Sequence, residues 1–257
     1  MIKFFQRIRQ NILFENKGSK YLLYAIGEIL LVVIGILIAL EVNNWNEARK
    51  SRIVEIELLK TIKIDLDRTL DDVTADYKNY LKSQESGNKF KLFILGEDLP
   101  EDSIIHHFNI LNLDQHFFPN SIGYNVLKSS NMNIISNDSL RMMITELYEV
   151  GFPRVKEFDE SNPRWDIGAL LQPYYKKHFY LTDEILENQS SYVGYQRYKL
   201  KLRSIEKIRN DDEFQIDLQE SFAMRNRKIG LNRFTIRKIE DALIEIENEV
   251  NRLNGAG

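Results

Sequence analysis

Cysteine is absent from the 257-residue chain. That excludes disulfides, thiolate metal ligands, a cysteine nucleophile and a lipid-modified cysteine anchor. It leaves the compartment open, because a chain without thiols suits oxidising and reducing surroundings alike. Proline is scarce, with five residues against twelve glycines, so long stretches run without a helix breaker. An excess of one charge is also lacking. The 35 Lys and Arg are interleaved with 38 Asp and Glu for a net charge of -3, which argues against nucleic acid as a partner. No glycine-rich phosphate loop, G-x-S-x-G elbow or dinucleotide fingerprint occurs. Internal repeats and low-complexity stretches are missing too. At 43% hydrophobic and 28% charged, the chain is globular in composition and long enough to bury a core.

One long apolar run is present. Residues 21–42 read YLLYAIGEILLVVIGILIALEV, with two carboxylates and no Lys or Arg. At helical rise these 22 residues span about 33 Å, against about 30 Å for a hydrocarbon core. Tyr21 and Tyr24 stand at one end and Trp45 at the other, where interfacial rings are expected. A buried helix of a soluble protein rarely stays apolar on every face for six turns. The run is too long for a cleaved signal peptide, and Ala39-Leu40-Glu41 is a poor cleavage site. An uncleaved signal anchor is therefore expected, with lipid bilayer as its partner.

The tail of residues 1–20 holds Lys3, Arg7, Arg9, Lys17 and Lys20 against Glu15. A short basic tail tends to stay in the cytoplasm, which places the N-terminus inside and residues 43–257 in the periplasm. MIKFFQRIRQNILF also gathers Ile2, Phe5, Ile8 and Ile12 near one helical face, as in a short helix lying on an anionic leaflet.

Within the span, Tyr21, Ala25, Glu28, Val32, Gly35, Ala39 and Val42 form one stripe of alternating four- and three-residue steps. Small residues let helix backbones approach, and a polar group deep in lipid gains from a hydrogen bond across an interface. Glu28 lies about 5 Å from the midpoint by helix rise. An ionised carboxylate there costs at least about 2.5–3.5 kcal/mol, so a neutral carboxyl or a partner is expected. The stripe is the candidate face for self-association.

Two segments resemble a family. NKGSKYLLYAIGEILLVVIGILIALEVNNWNEARK is similar to the N-terminal signature of a domain-of-unknown-function family of single-pass membrane proteins, found mostly in Bacteroidota. FFPNSIGYNVLKSSNMNIISNDSLRMMITELYE resembles that family's central region. Glu41 departs from the glutamine usual in that family. The resemblance implies a Gram-negative cell envelope and an anchored helical domain. It implies no activity and carries over no catalytic residue.

Beyond Trp45 the pattern becomes amphipathic. Ile56, Leu59, Leu66, Leu70, Val73, Tyr77 and Tyr80 recur at three- and four-residue spacing, interrupted by Lys63. Gly87 and then Gly96 mark the expected end, with Pro100 beyond. A second long helix is expected from Asp211 or Asp212 to Leu253. Its stripe runs Ile236, Ile239, Leu243, Ile246, Val250, Leu253, extended backward through Ile229, Phe222 and Leu218. The two are expected to pack in a bundle or, as a sharper alternative, to form a dimeric coiled coil. Shorter helices are expected over Ser103–Leu111, Ser121–Ser129, from Asn137-Asp138 to Glu149 with a stop at Gly151-Phe152-Pro153, Pro163–Phe179 and Tyr192–Arg209. With β-type alternation nearly absent, the fold class is all-α: one N-terminal transmembrane helix, then a helical bundle with two long helices and several short ones between them.

Candidate chemistry is sparse. His106, His107 and His116 cluster near Asp114, but adjacent histidines point about a quarter-turn apart and lack the fixed spacing of helical metal ligands. No metal, cofactor or catalytic residue is assigned. Tyr174, Tyr175, Phe179, Tyr180, Tyr192, Tyr195 and Tyr198 read first as core and second as a ligand groove. The function expected is a non-catalytic, membrane-anchored interaction or scaffold module of the bacterial cell envelope, with an unidentified envelope protein as partner. The alternative is a ligand-sensing outer domain that signals through the membrane helix to a separate partner.

Overall fold

No proline falls between Gly18 and Ile94, and helix α1 covers that whole stretch. The structure, a computed structural model, describes residues 18–160, 166–185 and 198–255. The interfacial helix expected in residues 1–14, and Tyr192 and Tyr195, lie outside the described residues, as do the side chains of Tyr21 and Tyr198. The chain divides into two units, Met1–Glu55 and Ile56–Gly257.

In the first unit, α1 is long and apolar enough to cross a membrane, and none of its most apolar window is buried. Gly27 and Gly35 have no neighbour within 4 Å of where a Cβ would stand.

The second unit is built on the rest of α1 and on α8, Asp212–Gly255; among the described residues, the six short α-helices between them are α2 to α7. Three side-chain pairs align the long helices: Lys63 Nζ to Glu247 Oε2 at 3.2 Å, Arg233 Nη2 to the Tyr77 hydroxyl at 3.2 Å, and Gln84 Nε2 to Asn226 Oδ1 at 2.5 Å. Moving from one pair to the next, fourteen and then seven residues forward along α1 match equal steps back along α8. The helices are therefore antiparallel and in a seven-residue register. Burial follows the same period. Leu59, Leu66, Val73 and Tyr80 form one buried line on α1, and Leu218, Arg225, Asn232, Ile239, Ile246 and Leu253 form one on α8. A strict seven-residue repeat keeps one seam facing the partner helix.

Two apolar cores flank this axis. The first joins Leu59, Ile62 and Leu66 to Leu127, Ile144 and Ile246. The second joins Phe90 and Phe93 to Phe108, Leu171, Ile208 and Phe214. Each such side chain, fully buried, contributes about 1.5–3 kcal/mol.

α1 ends on a Schellman turn. Gly96 has φ +114°, its N–H donates to Phe93 O and that of Glu97 to Leu92 O; only glycine takes this conformation without strain. Gly87 does not end the helix as expected. It lies inside α1, where a Cβ would stand 2.5 Å from a Phe222 ring atom, so its bareness serves close packing.

The short helices are α2 (Glu101–Leu111), α3 (Ile122–Ser129), α4 (Asp138–Glu146), α5 (Phe152–Glu160), α6 (Ile167–His178) and α7 (Ile205–Arg209). Gly123 brings α3 onto α1: a Cβ would stand 2.8 Å from the Ile62 nitrogen. The Gly123 N–H donates to buried Asp65 at 2.6 Å, satisfying a donor that the first turn leaves open.

Two expectations are corrected. Gly151-Phe152-Pro153 does not stop the helix, because a π turn, Leu147–Gly151, carries α4 into α5. Phe152 N–H donates to Leu147 O, five residues back, and Pro153 then stands in the first turn, where its missing N–H is not needed. Tyr192–Arg209 is not one helix either. Tyr198–Leu202 is strand β2, paired antiparallel with β1, Phe179–Ile185. The alternation Tyr-Lys-Leu-Lys-Leu is the period-two pattern of a strand. Among the described residues the fold is nonetheless all-α in its bulk, with this antiparallel strand pair as the small exception.

Two glycine-to-alanine changes are expected to act in opposite directions. Gly123→Ala should destabilise by about 1–3 kcal/mol or more, since backbone rather than a flexible side chain stands in the way. Gly230→Ala, exposed in α8 with open space around it, should stabilise by about 0.5–1 kcal/mol. Urea midpoints of the full-length variants check both signs.

Candidate functional site

The seam between the long helices turns polar at its centre. On α8 the inward positions Ser221, Arg225, Lys228, Asn232 and Thr235 are all buried. Opposite them stands Asp114, in the loop after α2. Its Oδ1 accepts from the Tyr80 hydroxyl at 2.6 Å, from Lys228 Nζ at 2.7 Å and from the Gln115 N–H at 3.0 Å. Its Oδ2 accepts from Ile167 N–H at 2.9 Å, the first residue of α6. The Asp114 side chain is 7% exposed and that of Lys228 2%, so the pair is screened little by solvent. Arg225, 1% exposed, donates from Nη2 to Leu111 O at 2.8 Å and so covers a carbonyl that the end of α2 leaves open. Burial pulls its guanidinium down to about 10, against the opposing pull of Asp114 and Tyr80.

A second buried pair joins α6 to the start of α8. His178 Nε2 lies 2.6 Å from Asp211 Oδ2. Asp211 also accepts from Lys177 Nζ and from the Phe214 N–H, which makes it the N-cap of α8. Burial holds the His178 imidazole below its ordinary range, with Asp211 pulling the other way. Burial raises Asp211, but the hydrogen bonds from Lys177, His178 and the Phe214 amide outweigh it and leave the carboxyl below its ordinary range.

The other residues singled out in the sequence scatter. His106 and His107 pack edge to face at 5.4 Å, with His107 Nδ1 3.3 Å from the Ser86 hydroxyl. His116 stands beside Phe118. No group of three or more metal-binding side chains forms among the described residues. Tyr174 and Phe179 are buried in the second core, Tyr175 hydrogen-bonds Asn109, and Tyr180 is at the surface beneath Arg203. On the span, Glu28, Val32, Gly35, Ala39 and Val42 are exposed and Ala25 half-buried. Asp114 had entered only as a metal candidate, and Arg225 and Lys228 had not been singled out. Their signal was positional: they fall on the seven-residue lines of Leu218 and Phe214.

A cleft of about 180 Å³ opens between α8 and the π turn. Leu147, Phe152 and Val155 floor it, Val150 and Phe234 stand exposed at its edge, and Glu146, Arg154 and Lys238 supply its charge. Its buried neutral polar group, Thr235, already donates its hydroxyl proton to Leu231 O.

Asp114→Asn is expected to cost about 3–5 kcal/mol, because it leaves buried cations uncompensated. Adding Lys228→Met should recover part of that loss, which a double-mutant cycle of urea midpoints measures. Acidification should also destabilise. The unfolded His178 binds a proton near 6.5 while the folded one resists, so stability is full above that pH and falls below it. Asp211, depressed in the fold, adds a further loss only as the pH drops under its ordinary 3.8. Urea midpoints at pH 7.5 and 5 should differ more for wild type than for His178→Gln.

Neither the curated proteins nor the solved structures contain a match to this chain. A family model covers residues 28–219, from within the apolar run through the first turns of α8, and includes Asp65, Asp114, His178, Asp211 and the whole π turn. The chain therefore belongs to DUF6090, a family of unknown function.

Proposed function

We propose that the protein is a non-catalytic, membrane-anchored interaction module of the bacterial cell envelope, with its N-terminus in the cytoplasm and its helical domain in the periplasm. The observation that carries this reading is the apolar, wholly uncovered stretch of α1, which is stable only where lipid or another apolar surface covers it. The structural placing of several buried ionisable groups of the second unit supports a non-catalytic role. Asp65, Asp114, Arg225, His178 and Asp211 each hold an element end or a loop. Self-association through Tyr21, Ala25, Glu28, Val32, Gly35, Ala39 and Val42 is part of the proposal, since a bare Gly35 with open space around it suits close helix approach. A second reading, a ligand-sensing outer domain that signals through the membrane helix to a separate partner, is favoured by the cleft beside the π turn.

A reporter active only outside the cytoplasm, fused after Gly257, should be active, and a cytoplasm-only reporter silent; the reverse pattern would overturn the orientation. In a transmembrane self-association assay, Gly35→Leu should abolish the wild-type signal. Glu28→Leu should weaken it by about 1–2 kcal/mol, while Ile34→Leu leaves it unchanged. A monomeric wild type, or three variants that behave alike, would remove self-association from the proposal.

A further inference from the structure

The cleft between α8 and the π turn has a composition that selects among ligands. Its body is hydrocarbon: Leu147, Val150, Phe152, Val155, Leu231 and Phe234. The Thr235 hydroxyl is committed to Leu231 O, so no neutral donor is left there to read a sugar or a base. Polar recognition falls to the three charged residues. Arg154 and Lys238 are exposed and form no ion pair with any described residue; Lys238 lies over the Phe234 ring at 5.7 Å. Glu146 is the one acid among the lining residues, so cations are in excess where the cleft meets water. Single π turns inside α-helices also recur at functional sites.

We propose that this cleft binds an aliphatic carboxylate, with the hydrocarbon tail on Leu147, Phe152 and Val155 and the head group between Arg154 and Lys238. An uncharged apolar ligand would leave two cations facing it without benefit, and a cationic one would meet them in repulsion. The planar guanidinium of Arg154 matches a carboxylate in two-pronged geometry.

The test is calorimetric titration of sodium octanoate into the full-length protein held in lipid nanodiscs, with empty nanodiscs as the blank. One saturable site per chain is expected. Affinity should tighten about fourfold per added methylene from hexanoate to octanoate, then level off in longer acids once the cleft is full. Arg154→Gln with Lys238→Gln should weaken octanoate by about tenfold or more and leave the thermal transition unchanged, because both side chains are exposed. Octanol should bind more weakly than octanoate by a similar factor. Val150→Asp, a carboxylate placed at the exposed edge, should also weaken octanoate. Four results would each overturn the proposal: wild-type heat no larger than the blank, unchanged binding in the double variant, equal affinity for octanol, or affinity that climbs with chain length without levelling. The last is the behaviour of partition into lipid.

Discussion

The bond between Lys228 and Asp114 sits where the two long helices, the α2–α3 loop and the start of α6 converge. A buried ion pair contributes little net stability, because desolvation offsets most of the attraction. Its effect here lies in position. Two helices joined by a uniform seven-residue apolar seam can slide by one repeat and still bury hydrocarbon. A slip that carried Arg225 and Lys228 toward the level of Leu66 and Val73 would set charge against hydrocarbon with no acceptor, at a cost of several kcal/mol. Polar residues at inward positions set register in helix pairs by this penalty on the alternatives. The polar centre also explains why the second unit has two apolar cores rather than one continuous seam.

The same residues set the short elements in place. Helices of eight to twelve residues are marginal alone in water, and α2, α3 and α6 are of that length. Arg225 covers the last carbonyl of α2, Asp65 the first turn of α3, and Asp114 with Asp166 the first turn of α6. Thr69 accepts from the Asn120 N–H and Tyr80 bonds Asp114 and Gln115, so α1 also presents polar groups to the loop that leads into α3. Arg225, Asp65 and Asp114 thus complete the backbone hydrogen bonding of elements that could not complete their own. The stretch Phe117–Glu149, which falls within the residues that the family model matches, places Phe117, Tyr124, Leu127, Ile135, Leu140, Ile144 and Tyr148 in the first core.

Much of this was legible in the residues. The long apolar helix was plain because its length and composition together are those that a lipid crossing would impose. The two long helices were plain because their apolar spacing persists for many turns, and the caps at Asn137, Asp211 and Gly96 stand where their chemistry suggests. The missed features share a cause. Reading stripes from apolar residues alone passes over Arg225, Lys228, Asn232 and Thr235, although they keep the period of Ile239 and Ala242 without a break. Gly151-Phe152-Pro153 is a stop by local propensity, and only the five-residue hydrogen bond of a π turn lets the helix pass it. In residues 198–202 the alternation was present but short, and a five-residue strand needs its partner at 179–185 to become visible. Gly87 has no sequence signal at all, since its reason is a phenyl ring 135 positions away.

This division of labour bears on what the protein offers a partner. With Asp65, Asp114 and Arg225 tied to element ends, the second unit presents for recognition what lies outside them: the cleft beside the π turn and exposed apolar side chains such as Phe118 before α3 and Ile122 and Val126 within it. Such small surfaces give modest affinity when both partners diffuse freely, since association costs several kcal/mol of translational and rotational freedom. On the proposed reading the anchor changes that balance. A domain tethered to the same bilayer as its partner has already lost part of that freedom, and its effective concentration rises accordingly. An anchored module can therefore work with surfaces too small to hold a soluble complex together, and an apolar helix that associates with its own copy would multiply those surfaces without adding a single contact to any one of them.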